Sequence, residues 1–116
     1  MEYKIINGKD NNPNSLSIFL VDNNQIKIAG LLGETYDDYL EIEYLWVQEE
    51  FRYKGIGSHL IALAEEIGAN KGCIYSILNT FSFQAPKFYE KLGYIEKMVL
   101  DAYPFKGKNH FYTKKL

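Results

Sequence analysis

The spacing of hydrophobic residues changes once near the middle of this chain. From residue 39 to residue 47, apolar side chains recur at every second position, an alternation that is typical of a β-strand. From residue 56 to residue 69, they recur at every third or fourth position, as on one side of an amphipathic helix. The sequence therefore predicts a long strand that leads, through a short connection, into a helix.

The rest of the chain predicts a single domain, residues 1–116, of the mixed α/β class. The turn-rich stretch 7–15 predicts a loop. The predicted elements are strands at 15–21, 25–32, 39–47, 73–78, 94–100 and 110–116 and helices at 56–69 and 83–92. This order, β-β-β-α-β-α-β-β, indicates a mostly antiparallel sheet crossed by two main helices.

Charge and composition narrow the classes of function. The net charge of −2 gives no positive field to attract a nucleic acid. One cysteine and two histidines offer no recognised metal-binding spacing, so we expect no metal. The single thiol, Cys73, fits a reducing compartment, and neither a signal peptide nor a membrane-spanning run is evident. These features favour a cytoplasmic protein that does not bind membranes.

The connection between the predicted strand and helix contains two glycines where the helix should begin. Backbone N–H groups at a helix start are unpaired and can bind an anion, and Gly55 and Gly57 would let a ligand approach them closely. Arg52 and Lys54 add positive charge there. A tight strand-to-helix turn would also use glycine for geometry alone. The patterns of a P-loop and of a dinucleotide-binding turn are both absent.

Two motifs in this order resemble the GNAT superfamily of N-acetyltransferases. The first is Arg52-x-x-Gly55-x-Gly57, which is similar to the pyrophosphate-binding loop of that family. The second motif begins at Ala85 and reads A-x-x-F-Y-x-x-L-G-Y, which is similar to a helix of the same family. The resemblance runs from about residue 30 to the C-terminus, and it is greatest to small bacterial members.

The resemblance implies a binding site for acetyl-CoA. In the family, two neighbouring strands separate and the pantetheine arm lies in the gap between them, bonded to backbone groups. The pyrophosphate would lie on the glycine segment, residues 52–59. The implied binding residues are Leu45, Trp46, Val47, Arg52, Tyr53, Lys54, Gly55, Ile56, Gly57, Ser58, His59, Asn79, Thr80, Phe88 and Tyr89.

Catalysis would need an acid for the departing thiolate and a base for the acceptor ammonium. The resemblance assigns the acid to Tyr89. An alkyl ammonium with a pKa of about 10.4 must lose a proton before it attacks, and a carboxylate can accept that proton. Glu41 and Glu43 are the candidates, because strand alternation should place both on one face, together with Leu45 and Val47.

The chain departs from the family at its N-terminal side. Family members usually carry one or two helices between their first two strands, and residues 7–15 are too few to form them. We therefore expect a homodimer that covers the exposed sheet face.

Two alternatives to an enzyme are a non-catalytic module that binds or senses acyl-CoA and an interaction domain that keeps only the fold. A small-molecule or peptide amine is the expected acceptor, of unspecified identity.

Overall fold

The computed structural model describes residues 2–9, 12–82, 85–102, 104 and 106–116, and it contains one seven-stranded sheet with two helices. The strands are β1 (Glu2–Lys9), β2 (Asn12–Val21), β3 (Lys27–Tyr36), β4 (Tyr39–Val47), β5 (Tyr75–Phe81), β6 (Ile95–Asp101) and β7 (Lys108–Lys115). The helices are α1 (Ile56–Asn70) and α2 (Pro86–Lys91), and a single 3₁₀ turn spans Glu49–Phe51. The predicted mixed, mostly antiparallel α/β fold is confirmed.

The order of strands across the sheet is β1-β2-β3-β4-β5-β7-β6. Every neighbouring pair is antiparallel except β4 and β5, which run parallel because α1 connects them. Helix α1 packs over β2, β3 and β4, and the main core lies between them. Among the described residues, no helix has both the length and the apolar character needed to cross a membrane.

The predicted loop at residues 7–15 is wrong. Residues 7–9 end β1 and residues 12–15 begin β2, while residues 10 and 11 lie outside the described part. The two strands pair directly, for example Ile5 with Ile18. The polar composition of this stretch concealed the strands, because backbone pairing to a neighbouring strand overrides local propensity. The described residues therefore form one strand more than the sequence predicts.

Other predicted boundaries also change. Strand β3, predicted at 25–32, spans Lys27–Tyr36, because it stays paired with β4 up to the turn at residues 37 and 38. Strand β5 begins at Tyr75 rather than at Cys73, because the Cys73 N–H still bonds the Gly68 carbonyl at the end of α1, at 2.9 Å. Helix α2 is described from Pro86, and residues 83 and 84 of its predicted range lie outside the described residues.

A β-bulge in β4 corrects the expected arrangement of its side chains. Leu32 of β3 pairs with Tyr44 while the next residue, Gly33, pairs with Ile42, so Glu43 is an extra residue. The alternation shifts by one at this point. Before the bulge, Leu40 packs toward α1, and after it Leu45 does.

Glu41 therefore does not share a face with Leu45 and Val47. It lies on the opposite face, together with Tyr44 and Trp46. We call this the bare face, because the helices pack on the other one.

Strands β4 and β5 separate soon after they meet. They pair only over Tyr39–Glu41 and Tyr75–Ile77. Beyond that point β4 continues beside β3 as far as Val47, and β5 continues beside β7 as far as Phe81. A gap opens in the sheet between the two diverging halves, in front of the start of α1.

Candidate active site

The gap between β4 and β5 leads into an open cavity of about 820 Å³. Its lining comes from β4, the connection to α1, the first turn of α1, β5 and α2. The lining residues are Glu43, Tyr44, Leu45, Trp46, Val47, Phe51, Arg52, Tyr53, Gly55, Ile56, Gly57, Ser58, Thr80, Ala85, Phe88 and Tyr89. Because Leu45 and Trp46 lie on opposite faces of β4, the cavity passes through the sheet.

The first turn of α1 forms one wall of the cavity. Gly55 precedes the helix with φ 79°, a left-handed conformation that glycine adopts without strain. Gly55 carries no side chain that could cap the helix, so the N–H groups of the first turn remain for another acceptor. Arg52 is held beside this turn, since its Nε donates to the Val47 carbonyl at 3.0 Å.

Gly57 is the point where a side chain would obstruct the cavity. A Cβ atom there would lie 3.3 Å from Phe88 Cζ and 3.8 Å from Leu45 Cδ2. The wall of α1 therefore approaches both β4 and α2 closely at this residue. The residues present fit a long, narrow ligand with an anionic group at the helix start, as acetyl-CoA is.

Tyr89 lies in the cavity lining on α2. Its ring packs edge-on against Phe88, with centroids 5.0 Å apart, and against Tyr94, at 6.2 Å. Burial raises the pKa of Tyr89 above its usual value of 10.0. The phenol is thus fully protonated at neutral pH and can donate a proton.

A buried hydrogen-bond network holds the turn that follows α2. Tyr94 Oη lies 2.6 Å from Ser76 Oγ and donates to Glu65 at 3.0 Å. Lys114 forms an ion pair with the same glutamate at 3.0 Å. Burial raises the pKa of Tyr94, so the hydroxyl stays protonated. Because the Tyr94 N–H also bonds the Tyr89 carbonyl at 3.1 Å, this network fixes the end of α2 against the sheet.

Four of the residues assigned by sequence lie outside the cavity lining. Glu41 is on the bare face, five residues before Trp46. His59 Nδ1 lies 2.8 Å from Tyr3 Oη, and Asn79 donates to Asn109 at 3.2 Å. Lys54 lies near the Phe51 ring, 5.7 Å from its centroid. Their roles in binding or catalysis stay predictions.

Three lining residues were not assigned from the sequence. Ala85 is the first residue of the second motif, so the motif itself could have identified it as a site residue. Phe51 lies in the 3₁₀ turn after β4, and no periodic pattern covers that turn. Tyr44 lies on the bare face because of the bulge at Glu43, which sequence alternation does not reveal.

The described residues contain no group of three or more His, Cys, Asp or Glu side chains that could hold a metal ion.

The family model of the acetyltransferase (GNAT) family matches residues 2–94. The chain belongs to the GNAT acetyltransferase family. The blasticidin-S acetyltransferase of Streptomyces morookaense is 39% identical over 89 residues, which cover 76% of this chain and 65% of that protein. This GNAT chain thus spans less than two thirds of the length of that curated relative.

Solved structures of acetyltransferases have the same fold as this GNAT chain. An acetyltransferase from Bacillus cereus has a TM-score of 0.84 and 38% sequence identity, covering 88% of this chain and 73% of its own. An aminoglycoside 6'-N-acetyltransferase complexed with coenzyme A has a TM-score of 0.78 at 21% identity, covering 90% and 74% of the two chains. The second similarity shows the fold alone.

Proposed function

We propose that this chain is an acetyl-CoA-dependent N-acetyltransferase that transfers an acetyl group to a primary amine. One observation carries the proposal. The cavity joins the open helix start at Gly55 to Tyr89 and Glu43, and it passes through the sheet between the separated strands. A donor could enter from the helix side and an acceptor from the bare face, so that the two would meet in the gap.

The backbone would bind the donor. The N–H groups at the start of α1 suit the pyrophosphate, with Arg52 adding positive charge. The edge of β4 beyond Glu41, residues 45–47, would bond the pantetheine amides, because β5 no longer pairs with it. At the Val47 carbonyl the ligand would share or replace the hydrogen bond from Arg52 Nε. Holding thioester and amine together can supply about 7–11 kcal/mol of the barrier reduction.

The transfer itself needs three proton movements. As the ammonium loses its proton to Glu43, the amine nitrogen attacks the thioester carbonyl and a C–N bond forms. Tyr89 donates its proton to the departing thiolate sulfur as the C–S bond breaks, and the second proton of the amine nitrogen then restores the Tyr89 hydroxyl, which leaves a neutral amide and free thiol while Glu43 releases its proton to solvent. Glu43 suits the first role better than Glu41, since it lines the cavity and Glu41 does not.

Two measurements separate the proposal from its alternatives. Calorimetry with acetyl-CoA tests donor binding, and thiol release with a panel of primary amines tests turnover. We expect both to be positive. Binding without thiol release from any amine would favour a sensing module, and no binding would favour an interaction domain.

Replacing Glu43 with glutamine should lower kcat/KM at pH 7 by about 100-fold or more, because general-base catalysis typically contributes 10²–10⁴-fold. The deficit should shrink toward pH 10, where more of the amine is already deprotonated. The pH dependence of thiol release measures this. Glu50→Gln, an exposed carboxylate outside the cavity lining, is the control. A larger loss in Glu41→Gln than in Glu43→Gln would contradict the assignment.

We further propose that two copies form a homodimer through β6. This strand is at the edge of the sheet, and all seven of its residues are exposed. They include Ile95, Met98 and Leu100, which are 61%, 47% and 48% exposed. An edge strand with four exposed apolar residues and unpaired backbone groups would be covered by a second copy related by a two-fold axis.

The buried single thiol of Cys73 also favours a reducing, cytoplasmic setting.

Substituting Met98 with lysine should turn the dimer into a monomer, because a lysine in the centre of the edge strand opposes pairing. Light scattering at micromolar concentration measures the mass. Ile26→Lys, in the turn between β2 and β3, changes another exposed apolar residue and should leave the dimer intact. A wild-type protein that is strictly monomeric would contradict the proposal.

A further inference from the structure

The bare face carries an aromatic surface beside the gap. Gly30 of β3 pairs with Phe19 on one side and with Trp46 on the other. A Cβ atom at Gly30 would lie 2.8 Å from Trp46 Nε1 and 2.9 Å from Phe19 Cδ1, so both rings lean over this glycine. Tyr44 lies two residues before Trp46 on the same face. We call Tyr44 and Trp46 the aromatic platform.

The aromatic platform is open to solvent and belongs to the cavity. Tyr44 is 65% exposed and Trp46 is 38% exposed, and both line the cavity where it reaches the bare face. Large aromatic side chains exposed beside a cavity indicate a ligand surface, since water contact is unfavourable for them. If acetyl-CoA binds on the helix side, the aromatic platform remains available to the acceptor amine.

Carboxylates lie next to the aromatic platform. Glu34 and Glu41 are directly opposite each other on β3 and β4, and Glu41 shares the bare face with Tyr44. Tyr36 Oη donates to Glu34 at 2.8 Å, and this hydrogen bond raises the pKa of Tyr36 to about 12. The hydroxyl therefore remains a donor to the Glu34 side chain.

Glu43 adds a third carboxylate at the bulge. Two like charges placed opposite each other repel, so Glu34 and Glu41 would be stabilised by a cation that lies between them. On the far side of the platform Lys27 lies over the Phe19 ring, 4.0 Å from its centroid. The negative charge is therefore concentrated at the Tyr44 end.

We propose that the acceptor is a diamine built on a flat ring, with the ring on Tyr44 and Trp46 and its second positive charge facing Glu34 and Glu41. This inference rests on the proposed acetyltransferase function. The reacting amine then lies near Glu43 in the gap. From Glu41 to Tyr44 the strand advances about 7–10 Å, a span that one ring with a basic arm on each side can cover. Tyrosine and tryptophan attract both π-systems and cations.

Three small acceptors separate the contributions of ring and charge. p-Xylylenediamine has a flat ring and two ammonium groups, 1,4-bis(aminomethyl)cyclohexane has a puckered ring with the same two groups, and benzylamine has the flat ring with one. Thiol release from acetyl-CoA gives kcat/KM for each. We expect p-xylylenediamine to exceed each of the others by about 10-fold. That factor is the size of one ring-stacking contact in the comparison with the puckered diamine and of one charge-assisted contact in the comparison with benzylamine.

Two variants assign these preferences to residues. Tyr44→Leu should reduce the ratio of flat to puckered diamine well below its wild-type value, whereas Tyr75→Leu, an exposed tyrosine outside the cavity lining, should keep the wild-type ratio. Glu41→Gln should reduce the ratio of p-xylylenediamine to benzylamine. Because these are ratios within one variant, a general loss of activity does not alter them.

The outcomes of these experiments distinguish failure of the acceptor proposal from failure of the acetyltransferase function. Equal rates for the flat and puckered diamines, or turnover of none of the three acceptors by a protein that binds acetyl-CoA, would overturn the acceptor proposal. Failure to bind acetyl-CoA would overturn the acetyltransferase function and this inference with it. The expected ratios in the wild type, together with their reduction in Tyr44→Leu and Glu41→Gln, would support both the acceptor proposal and the acetyltransferase function.

Discussion

Gly57→Val is expected to abolish acetyl-CoA binding, with a Kd at least about 100-fold above that of the wild type. The valine side chain would enter the space between α1, Phe88 and Leu45, where a Cβ alone already lies 3.3 Å from Phe88 Cζ. Overpacking and the loss of a ligand contact to a backbone N–H each cost about 1–3 kcal/mol. Isothermal titration calorimetry with acetyl-CoA measures the effect.

The control for Gly57→Val lies in the same helix. Ala62 is exposed on α1 and outside the cavity lining, so Ala62→Val introduces the same side chain without filling the cavity. Binding by this variant should equal that of the wild type. Urea unfolding of both variants shows whether the fold is kept. Undiminished affinity in a folded Gly57→Val protein would refute the binding site at the start of α1.

Tyr89→Phe is expected to lower kcat by about 100-fold or more while the Kd for acetyl-CoA changes little. The ring that packs between Phe88 and Tyr94 is kept, and only the proton donor for the thiolate is removed. Single-turnover thiol release and calorimetry measure the two quantities separately. Equal losses of kcat and affinity would show that the hydroxyl binds the donor rather than protonating the thiolate.

The pH profile gives a second test of Tyr89. A general acid loses its function as the pH rises through its pKa, and burial holds the pKa of Tyr89 above 10.0. The wild-type kcat should therefore show no fall caused by this group below pH 10. Tyr75→Phe, which changes an exposed tyrosine on β5, should retain the wild-type profile. A fall in wild-type kcat near pH 7 that Tyr89→Phe removes would contradict the expected direction.

Periodicity and motif order predicted the part of the fold that surrounds the cavity. The helix predicted at 56–69 is α1 to within one residue, because six apolar residues at helical spacing define both the extent of the helix and its buried face. Gly57 was assigned from its motif, and the close approach to Phe88 gives the physical reason for a glycine there.

The features that sequence did not reveal depend on pairing between strands. Strand β1 and the start of β2 form a ladder in which polar residues take part, so composition alone indicated a loop. The bulge at Glu43 depends on the register between β3 and β4, which no single segment encodes. For this reason the two glutamates were placed together on one face, whereas only Glu43 reaches the cavity.

The bulge shifts the alternation of side chains between the two faces of the sheet by one residue, so the two halves of β4 follow opposite alternations. Residues 40 and 42 and residues 45 and 47 all pack toward the core, although no unbroken strand could direct even-numbered and odd-numbered positions the same way. Without the bulge, the same residues in an unbroken strand would exchange Leu45 with Trp46 between the faces. The extra residue at Glu43 therefore keeps the second half of the strand in register, so that substitutions can tune this strand whereas a slip of its pairing by one residue would turn the aromatic platform inward.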